Sequence, residues 1–491
     1  MATSPGSPTT ASQAPAKAPD KLDPALIKLT AILMVGAIAA LLDTTIVNVG
    51  LDAIARDLHT TVSTVQWVMT GYLLSFGMVI PLNGWAITRF GAKATWLASL
   101  AVFLAGSVAC GLAWNIGSLV AFRVVQGIGG GMLMPVLTTL LIQAAGGRSL
   151  GRLMATVSLP AVVVPVAGPI VGGLIVSNLS WRWLFYVNVP ICLAGLVLAW
   201  HGLPASTSTR SAARPRLDLI GLALLSPGLA AVLYGLAQVS IHHGFGHLAV
   251  IIPLAAGLAA LAAFTLRALR GGGGTQPVID LHLFRVRSFT GAASLMFVAG
   301  LAMYGALLLI PLYYQQVRGA SALTAGLLLV PQGVGSLLPR TIAGKLTDRI
   351  GPRPVILAGM ALAALGTLPF AMSGAHTSEV LLSAGLVVRG AGLAAATIAV
   401  MATAFTGLAP AQVPHASSAT RILQQVGGSF GTAVLTVILE LQLTGGGTAG
   451  PAARTAGLAS AFSHTFWWAV GFTVIGALPA LLLRGPARSE R

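Results

Sequence analysis

Gly84-Trp85-Ala86-Ile87-Thr88-Arg89-Phe90-Gly91-Ala92-Lys93 and Gly344-Lys345-Leu346-Thr347-Asp348-Arg349-Ile350-Gly351-Pro352-Arg353 share a Gly-x-x-x-(Asp/Thr)-Arg-x-Gly-x-(Lys/Arg) pattern, 260 residues apart. Each follows a long apolar stretch and precedes another. Glycine permits the tight turn that such a connection needs, and charges at fixed spacing can bridge neighbouring helix ends. A positively charged loop is common, but agreement at five positions in both copies marks an internal repeat.

The composition says where this repeat lies. Of 491 residues, 56% are apolar and only 8% are charged, whereas soluble globular chains carry about a quarter charged residues. So few charges cannot cover an aqueous surface, while a lipid-facing surface needs none. A soluble enzyme, a disordered chain and a disulfide-bonded secreted scaffold are thereby excluded. Cys110 and Cys192 both sit in apolar segments and offer no framework for bridges or a metal. The net charge of +17 would suggest nucleic acid in a soluble protein. In a membrane protein it reflects Lys and Arg gathered on the cytoplasmic side, so no nucleic acid is expected. Residues 1–24 are rich in Ser, Thr, Ala and Pro and read as a disordered cytoplasmic tail.

Charge-free stretches locate the spans, each needing about 20 residues. They are expected at 28–50, 65–87, 94–113, 119–142, 152–176, 182–203, 217–240, 247–268, 288–311, 321–344, 354–373, 380–406, 419–441 and 462–484. The stretch from Asp218 to Arg267 is too long for one span, and the polar run His242-His243-Gly244-Phe245-Gly246-His247 divides it into two. Fourteen spans place both termini on the same side. With that side cytoplasmic, 22 Lys and Arg fall inside, Arg421 and Arg340 among them. Only Arg56, Arg182, Arg318 and Arg454 fall outside, and Arg123 and Arg389 lie within spans. One missed helix would invert every later loop, so this asymmetry fixes the orientation. Both repeat loops then face the cytoplasm. Two similar bundles in parallel orientation, binding at their interface, is a recurring transporter plan.

Further motifs sharpen this. Leu42-Asp43-x-Thr45-Ile46-Val47-Asn48-Val49, Arg123-Val124-Val125-Gln126-Gly127-Ile128-Gly129, Pro165-x-x-Gly168-Pro169-x-x-Gly172-Gly173 and Trp181-Arg182-Trp183-x-Phe185-Tyr186-x-Asn188-x-Pro190 stand in the first, fourth, fifth and sixth spans. With the two loops they resemble the major facilitator superfamily, specifically its fourteen-span drug:proton antiporter branch, from about Leu42 to Arg484. There are departures. Thr88 stands where the family usually has Asp, so the N-terminal loop lacks the acid that the C-terminal copy keeps as Asp348. Gly50-Leu51-Asp52 replaces the usual Ala-Leu-Pro, and Val164 replaces a glycine.

The resemblance implies an all-α membrane protein of 14 transmembrane helices: two six-helix bundles at 25–203 and 288–484, with an inserted two-helix hairpin at 217–268. Cytoplasmic linkers follow at 204–216 and 269–287, and a cytoplasmic tail at 485–491. It further implies a multi-pass plasma-membrane exporter, monomeric, that expels a hydrophobic or cationic small molecule in exchange for protons. No nucleotide-binding motif is present, and the coupling ion takes the place of a cofactor. The rivals are a dedicated exporter of one metabolite, an uptake symporter of the same fold and an intramembrane enzyme. The fifth-span Pro/Gly signature argues against uptake. An enzyme would need clustered acids, His or a metal, which the sequence does not offer.

Individual residues carry this reading. Asp43 is the only carboxylate placed well inside a span. Burial favours the neutral form of a carboxyl, and an acid at membrane depth marks a functional site by default. Arg123 cannot titrate near neutral pH, so its role is to set the protonation of a partner acid; the sequence leaves open whether that partner is Asp43 or whether Arg123 bonds a backbone carbonyl. Gly84, Arg89, Gly91, Lys93, Gly344, Asp348, Arg349, Gly351 and Arg353 are the expected gating loops. Pro165, Gly168, Pro169, Gly172 and Gly173 form the antiporter-type helix, kinked by proline and closely packed through small residues. Arg389 reads as structural, Asp218 as a helix cap, Glu440 as an outer-end residue and the His242–His247 turn as solvated. Residues 277–284 are expected along the inner surface, and Gly271–Gly274 as a linker.

Overall fold

Hydrocarbon offers no hydrogen bonds, so a chain crossing it must satisfy each backbone N–H and C=O internally, and these apolar stretches do so as helices. The computed structural model describes residues 23–146, 150–203, 217–242, 244–270, 278–374, 377–443 and 451–483. The linker 204–216, Gly271–Gly274, the tail 485–491 and all but the end of the N-terminal tail lie outside them. The described residues are all-helical, and eleven helical segments among them are long and apolar enough to cross a membrane.

In chain order the α-helices are α1 (Pro24–Asp57), α2 (Val62–Val65), α3 (Trp67–Val79), α4 (Leu82–Phe90), α5 (Ala92–Gly111), α6 (Ile116–Ala145) and α7 (Leu150–Asn178). Then come α8 (Trp183–Tyr186), α9 (Asn188–Gly202), α10 (Leu219–Ile241) and α11 (Leu248–Leu269). The remainder is α12 (Arg287–Gln316), α13 (Ala322–Leu327), α14 (Val330–Leu337), α15 (Arg340–Ile350), α16 (Pro352–Ala371), α17 (Glu379–Ala404), α18 (Val413–Leu443) and α19 (Pro451–Ile475). Two 3-10 turns, Leu281–Arg285 and Leu478–Leu482, precede α12 and follow α19.

Several elements differ from the sequence expectation. The spans expected at 65–87 and 321–344 are interrupted: new helical segments begin at Leu82, Val330 and Arg340, each beside a proline, Pro81, Pro331 and Pro339. Proline has no N–H for the preceding turn. The 182–203 span divides at Val187 into α8 and α9. At 34 residues, α1 rises about 51 Å, more than a bilayer core of about 30 Å needs. α18 begins at Val413, not 419, which carries Arg421 two turns into the helix and away from the inner loop. The 277–284 segment does not simply lie on a surface: Val278, Ile279 and Leu283 are buried in the main apolar core. Asp218 does cap α10, its carboxylate accepting from the Gly221 N–H at 2.9 Å and pairing with Arg267 at 3.0 Å.

The packing repeats as the sequence does. α1 packs on α7 and α9, α6 on α3 and α5, and α5 on α9. In the later half α12 packs on α18 and α19, α17 on α14 and α16, and α16 on α19. The halves meet reciprocally, α7 against α14, α15 and α17, and α18 against α4 and α6. α10 and α11 stand outside this correspondence, with α10 against both α3 and α18.

Candidate functional site

α6 is placed by its glycines. A Cβ on Gly127 would collide with Ser75 and the Tyr72 carbonyl of α3, and one on Gly129 with Phe103 and the Ser99 carbonyl of α5. Their absence lets both neighbours close on α6, which brings Arg123 and Gln126, one turn apart on a single face, into the protein interior. Both are fully buried, as is Asp43 on α1.

There the three side chains converge. Arg123 Nη1 lies 2.6 Å from Asp43 Oδ2 and also donates to Gln126 Oε1 at 2.9 Å. Gln126 Nε2 donates to the other carboxylate oxygen, Oδ1, at 2.9 Å, and Asn188 Nδ2 to the same oxygen at 3.3 Å. Ser107 Oγ accepts from Gln126 and Asn188 at 3.2 and 3.1 Å and donates to the Phe185 carbonyl. Arg123 Nε donates to the Val68 carbonyl at 3.1 Å, and the guanidinium lies 4.0 Å from the Tyr72 ring centre. The choice left open by the sequence is resolved: Arg123 takes both Asp43 and a backbone carbonyl. A buried ion pair is tolerable when its own donors and acceptors find partners; six helices supply them here, while Asn188 Oδ1 and the Tyr72 hydroxyl are buried without a hydrogen-bond partner among the described residues.

Three motifs read separately from the sequence, in the first, fourth and sixth spans, therefore belong to one site. Gln126 and Asn188 were visible as motif members, with Gln126 marked by its spacing from Arg123. Ser107 and Tyr72 were missed. A hydroxyl among Ala and Gly in an apolar helix gives little signal until its neighbours are known.

The two repeat loops share one geometry. Gly91 and Gly351 have φ of 85° and 88° with ψ of 155° and 165°, a region that disfavours residues with a Cβ. Lys93 caps the far end of α9, its Nζ donating to the carbonyls of Trp200 and Leu203 at 2.7 and 2.8 Å. Arg89 is half-buried beside the Phe90 ring, Arg353 is half-buried too, and Gly344 is buried in α15 near the exposed Asp348 and Arg349. Thr88, in place of the usual acid, donates to the Gly84 carbonyl in its own helix. A Cβ on Gly84 would meet the His415 ring at 2.8 Å, so this position touches α18 of the other half. Around it Asn83 donates to Ser418 Oγ at 3.4 Å, Ser417 to the Pro135 carbonyl at 3.1 Å and Gln143 to the Pro410 carbonyl at 3.4 Å.

The fifth-span motif lies beside the ion pair. A Cβ on Gly168 would collide with Thr45, and one on Gly172 would meet Ile46 at 3.0 Å, so these glycines set the approach of α7 to α1 just beyond Asp43. Gly173 faces open space. Pro165 and Pro169 lie within the continuous α7. Arg389 donates to neutral partners, Gln332 Oε1 and the Ala302 carbonyl.

The family profile described as "Major Facilitator Superfamily" matches residues 33–432. The chain belongs to the major facilitator superfamily. It is a multi-pass membrane transporter, not an enzyme. Among superfamily relatives, the "Multidrug resistance protein B homolog" of Mycobacterium tuberculosis is 39% identical over 426 residues, covering 86% of this chain and 78% of that one. The "Tetracenomycin C resistance and export protein" of Streptomyces glaucescens is 32% identical over 407 residues, covering 82% and 74%. The solved structure of the proton:xylose symporter XylE superposes with a TM-score of 0.62 at 15% identity, covering 92% of this chain and 94% of that one, a likeness of fold.

Proposed function

We propose that the chain exports hydrophobic small molecules across the plasma membrane in exchange for protons, by alternating access. The observation that carries this is the fully buried Asp43–Arg123 pair, the one ion pair at membrane depth among the described residues whose acid can take up a proton. Protonation of Asp43 removes the charge that holds Arg123. The guanidinium keeps Gln126, the Val68 carbonyl and the Tyr72 face, and the α1–α6 contact loosens beside the close α1–α7 seam. Each proton charge moving inward yields about 2.3 kcal/mol per 100 mV, which supports a useful outward gradient of substrate.

In this reading the eleven apolar segments, α7 and the two proline-interrupted segments make fourteen spans. Residues 25–203 and 288–484 form the two bundles, 217–268 the inserted pair, and both termini are cytoplasmic. The protein works as a monomer in lipid. The contacts of Asn83, Pro135 and Gln143 with α18 and the turn before it close the cytoplasmic end in this conformation. The relatives named for multidrug resistance and tetracenomycin export favour export over uptake.

The test is efflux from proteoliposomes under an imposed pH gradient, with ethidium, rhodamine and pyrenebutyrate as probes. Gradient-driven efflux of at least one, lost in Asp43→Asn, is expected. Gradient-driven efflux that persists in Asp43→Asn removes the acid from the mechanism.

A further inference from the structure

The two halves differ in how they compensate charge. Arg123 in α6 has its carboxylate, whereas its counterpart Arg389 in α17, also buried, has Gln332 Oε1 at 2.7 Å and the Ala302 carbonyl at 2.8 Å. A second arginine reaches the same stretch of α12 from α18. Arg421 is half-buried, and its Nη1 donates to Gln424 Oε1 at 3.1 Å. Its Nε is buried with no hydrogen-bond partner among the described residues. On α12, Gly300 lies against the Gln424 carbonyl, and the Tyr304 ring lies against Gly428. Tyr304 is 36% exposed. One turn before Arg421, Ser417 donates to the Pro135 carbonyl of α6, so this face of α18 is turned toward the other half.

Among the described residues neither Arg389 nor Arg421 forms an ion pair with a carboxylate. α4, α6, α10, α12 and α19, which pack on α18, contain no Asp or Glu, and neither do α7, α14 and α16 around α17. The acids of the later helices stand at helix ends: Asp348 in α15, Glu379 opening α17 and Glu440 closing α18. Glu440 is about 28 Å along the helix from Arg421. Asp43 is fully buried in its own pair. Arginine cannot shed its proton, and an uncompensated cation at membrane depth is costly. Its guanidinium is also the side chain best shaped to take a carboxylate in two parallel hydrogen bonds.

We propose that Arg421, with Gln424 and Tyr304 beside it and Arg389 behind the same stretch of α12, binds the anionic group of the transported molecule. The substrate class is an aromatic or polycyclic acid, a carboxylate or phenolate, rather than a cation. This rests on the exporter reading and narrows its substrate.

The test uses the full-length protein in nanodiscs at neutral pH, with protein-free nanodiscs as blank. Three fluorescent probes share one ring system: pyrenebutyrate, its neutral methyl ester and the cation pyrenebutylamine. Wild type is expected to bind the acid about tenfold more tightly than the ester, the value of one hydrogen bond to a charged group, and the amine more weakly still. Equal binding of acid and ester, preference for the amine, or no binding of the acid overturns the site. Arg421→Gln is expected to abolish the preference for acid over ester, and Arg421→Lys to keep most of it. A preference that survives in a monodisperse Arg421→Gln protein also overturns it. The wild-type comparison decides the matter should that variant fail to fold.

Efflux of the same probes separates this site from the exporter reading. Gradient-driven efflux of the amine alone leaves the exporter standing without the site. Acid binding that depends on Arg421, with no gradient-driven efflux of any probe, leaves the site without the coupling.

Discussion

Asp43 and Arg123 lie 80 residues apart in the chain and 2.6 Å apart in the fold, with neither side chain reached by solvent. Removing one partner strands the other's charge, which costs about 3–5 kcal/mol at a buried site. Removing both strands neither. We expect Asp43→Ala and Arg123→Met each to lower the thermal stability of the purified protein more than the double variant's excess over either single. Thermal unfolding in one detergent checks this. Strictly additive losses would mean that the two residues are not energetically coupled.

Gly91 and Gly351 adopt the same positive φ at the ends of α4 and α15. Alanine at either position forces a Cβ into that region at a cost of about 1–3 kcal/mol. Similar losses of melting temperature are expected for Gly91→Ala and Gly351→Ala, whereas Ala at Gly173, which faces open space, is expected to change little. A neutral Gly91→Ala would show that the turn is not constrained.

The seam between α1 and α7 depends on Gly168 and Gly172, because Thr45 and Ile46 occupy the space their side chains would take. Gly168→Val is expected to lower transport at least tenfold by pushing α7 off the helix that carries Asp43, and Gly173→Val by less than twofold. Efflux rates normalised to protein content in the liposomes measure both. Equal losses at 168 and 173 would assign the effect to helix propensity instead.

Asn83 and Ser418 join the halves at the end where the repeat loops turn, at 3.4 Å. If that contact opens during transport, a covalent link across it stops the cycle. Asn83→Cys with Ser418→Cys, oxidised, is expected to abolish efflux, and reduction to restore it. Cys110 and Cys192 are both buried and do not compete for the link. Full activity of the cross-linked protein would show that this seam stays closed throughout.

Much of this was legible because hydrocarbon makes certain residues expensive. Asp43 and Arg123 stood out as charges inside apolar segments, and the loop glycines stood out because the same turn occurs twice. Their pairing was not legible, since it depends on how closely α6 approaches α3 and α5. Arg421 was misplaced for a clearer reason. The run Val413-Pro414-His415-Ala416-Ser417-Ser418 looks too polar to cross a membrane, yet all of it except His415 is buried, against α4 and α6 of the other half. Hydropathy measures a preference for lipid, and this face of α18 meets protein. For the same reason the breaks at Pro81, Pro331 and Pro339 escaped a reading based on charge-free length alone.

The central claim, that the proton exchanged for substrate is carried by Asp43, is tested most directly by proton release on binding. Purified protein in weakly buffered solution with a pH-indicator dye is mixed with saturating substrate, the probe that the efflux assay identifies. The account predicts that the wild type releases protons on binding substrate and that Asp43→Asn releases none, with substrate still bound by both. Release of the same size from a substrate-binding Asp43→Asn protein would contradict it.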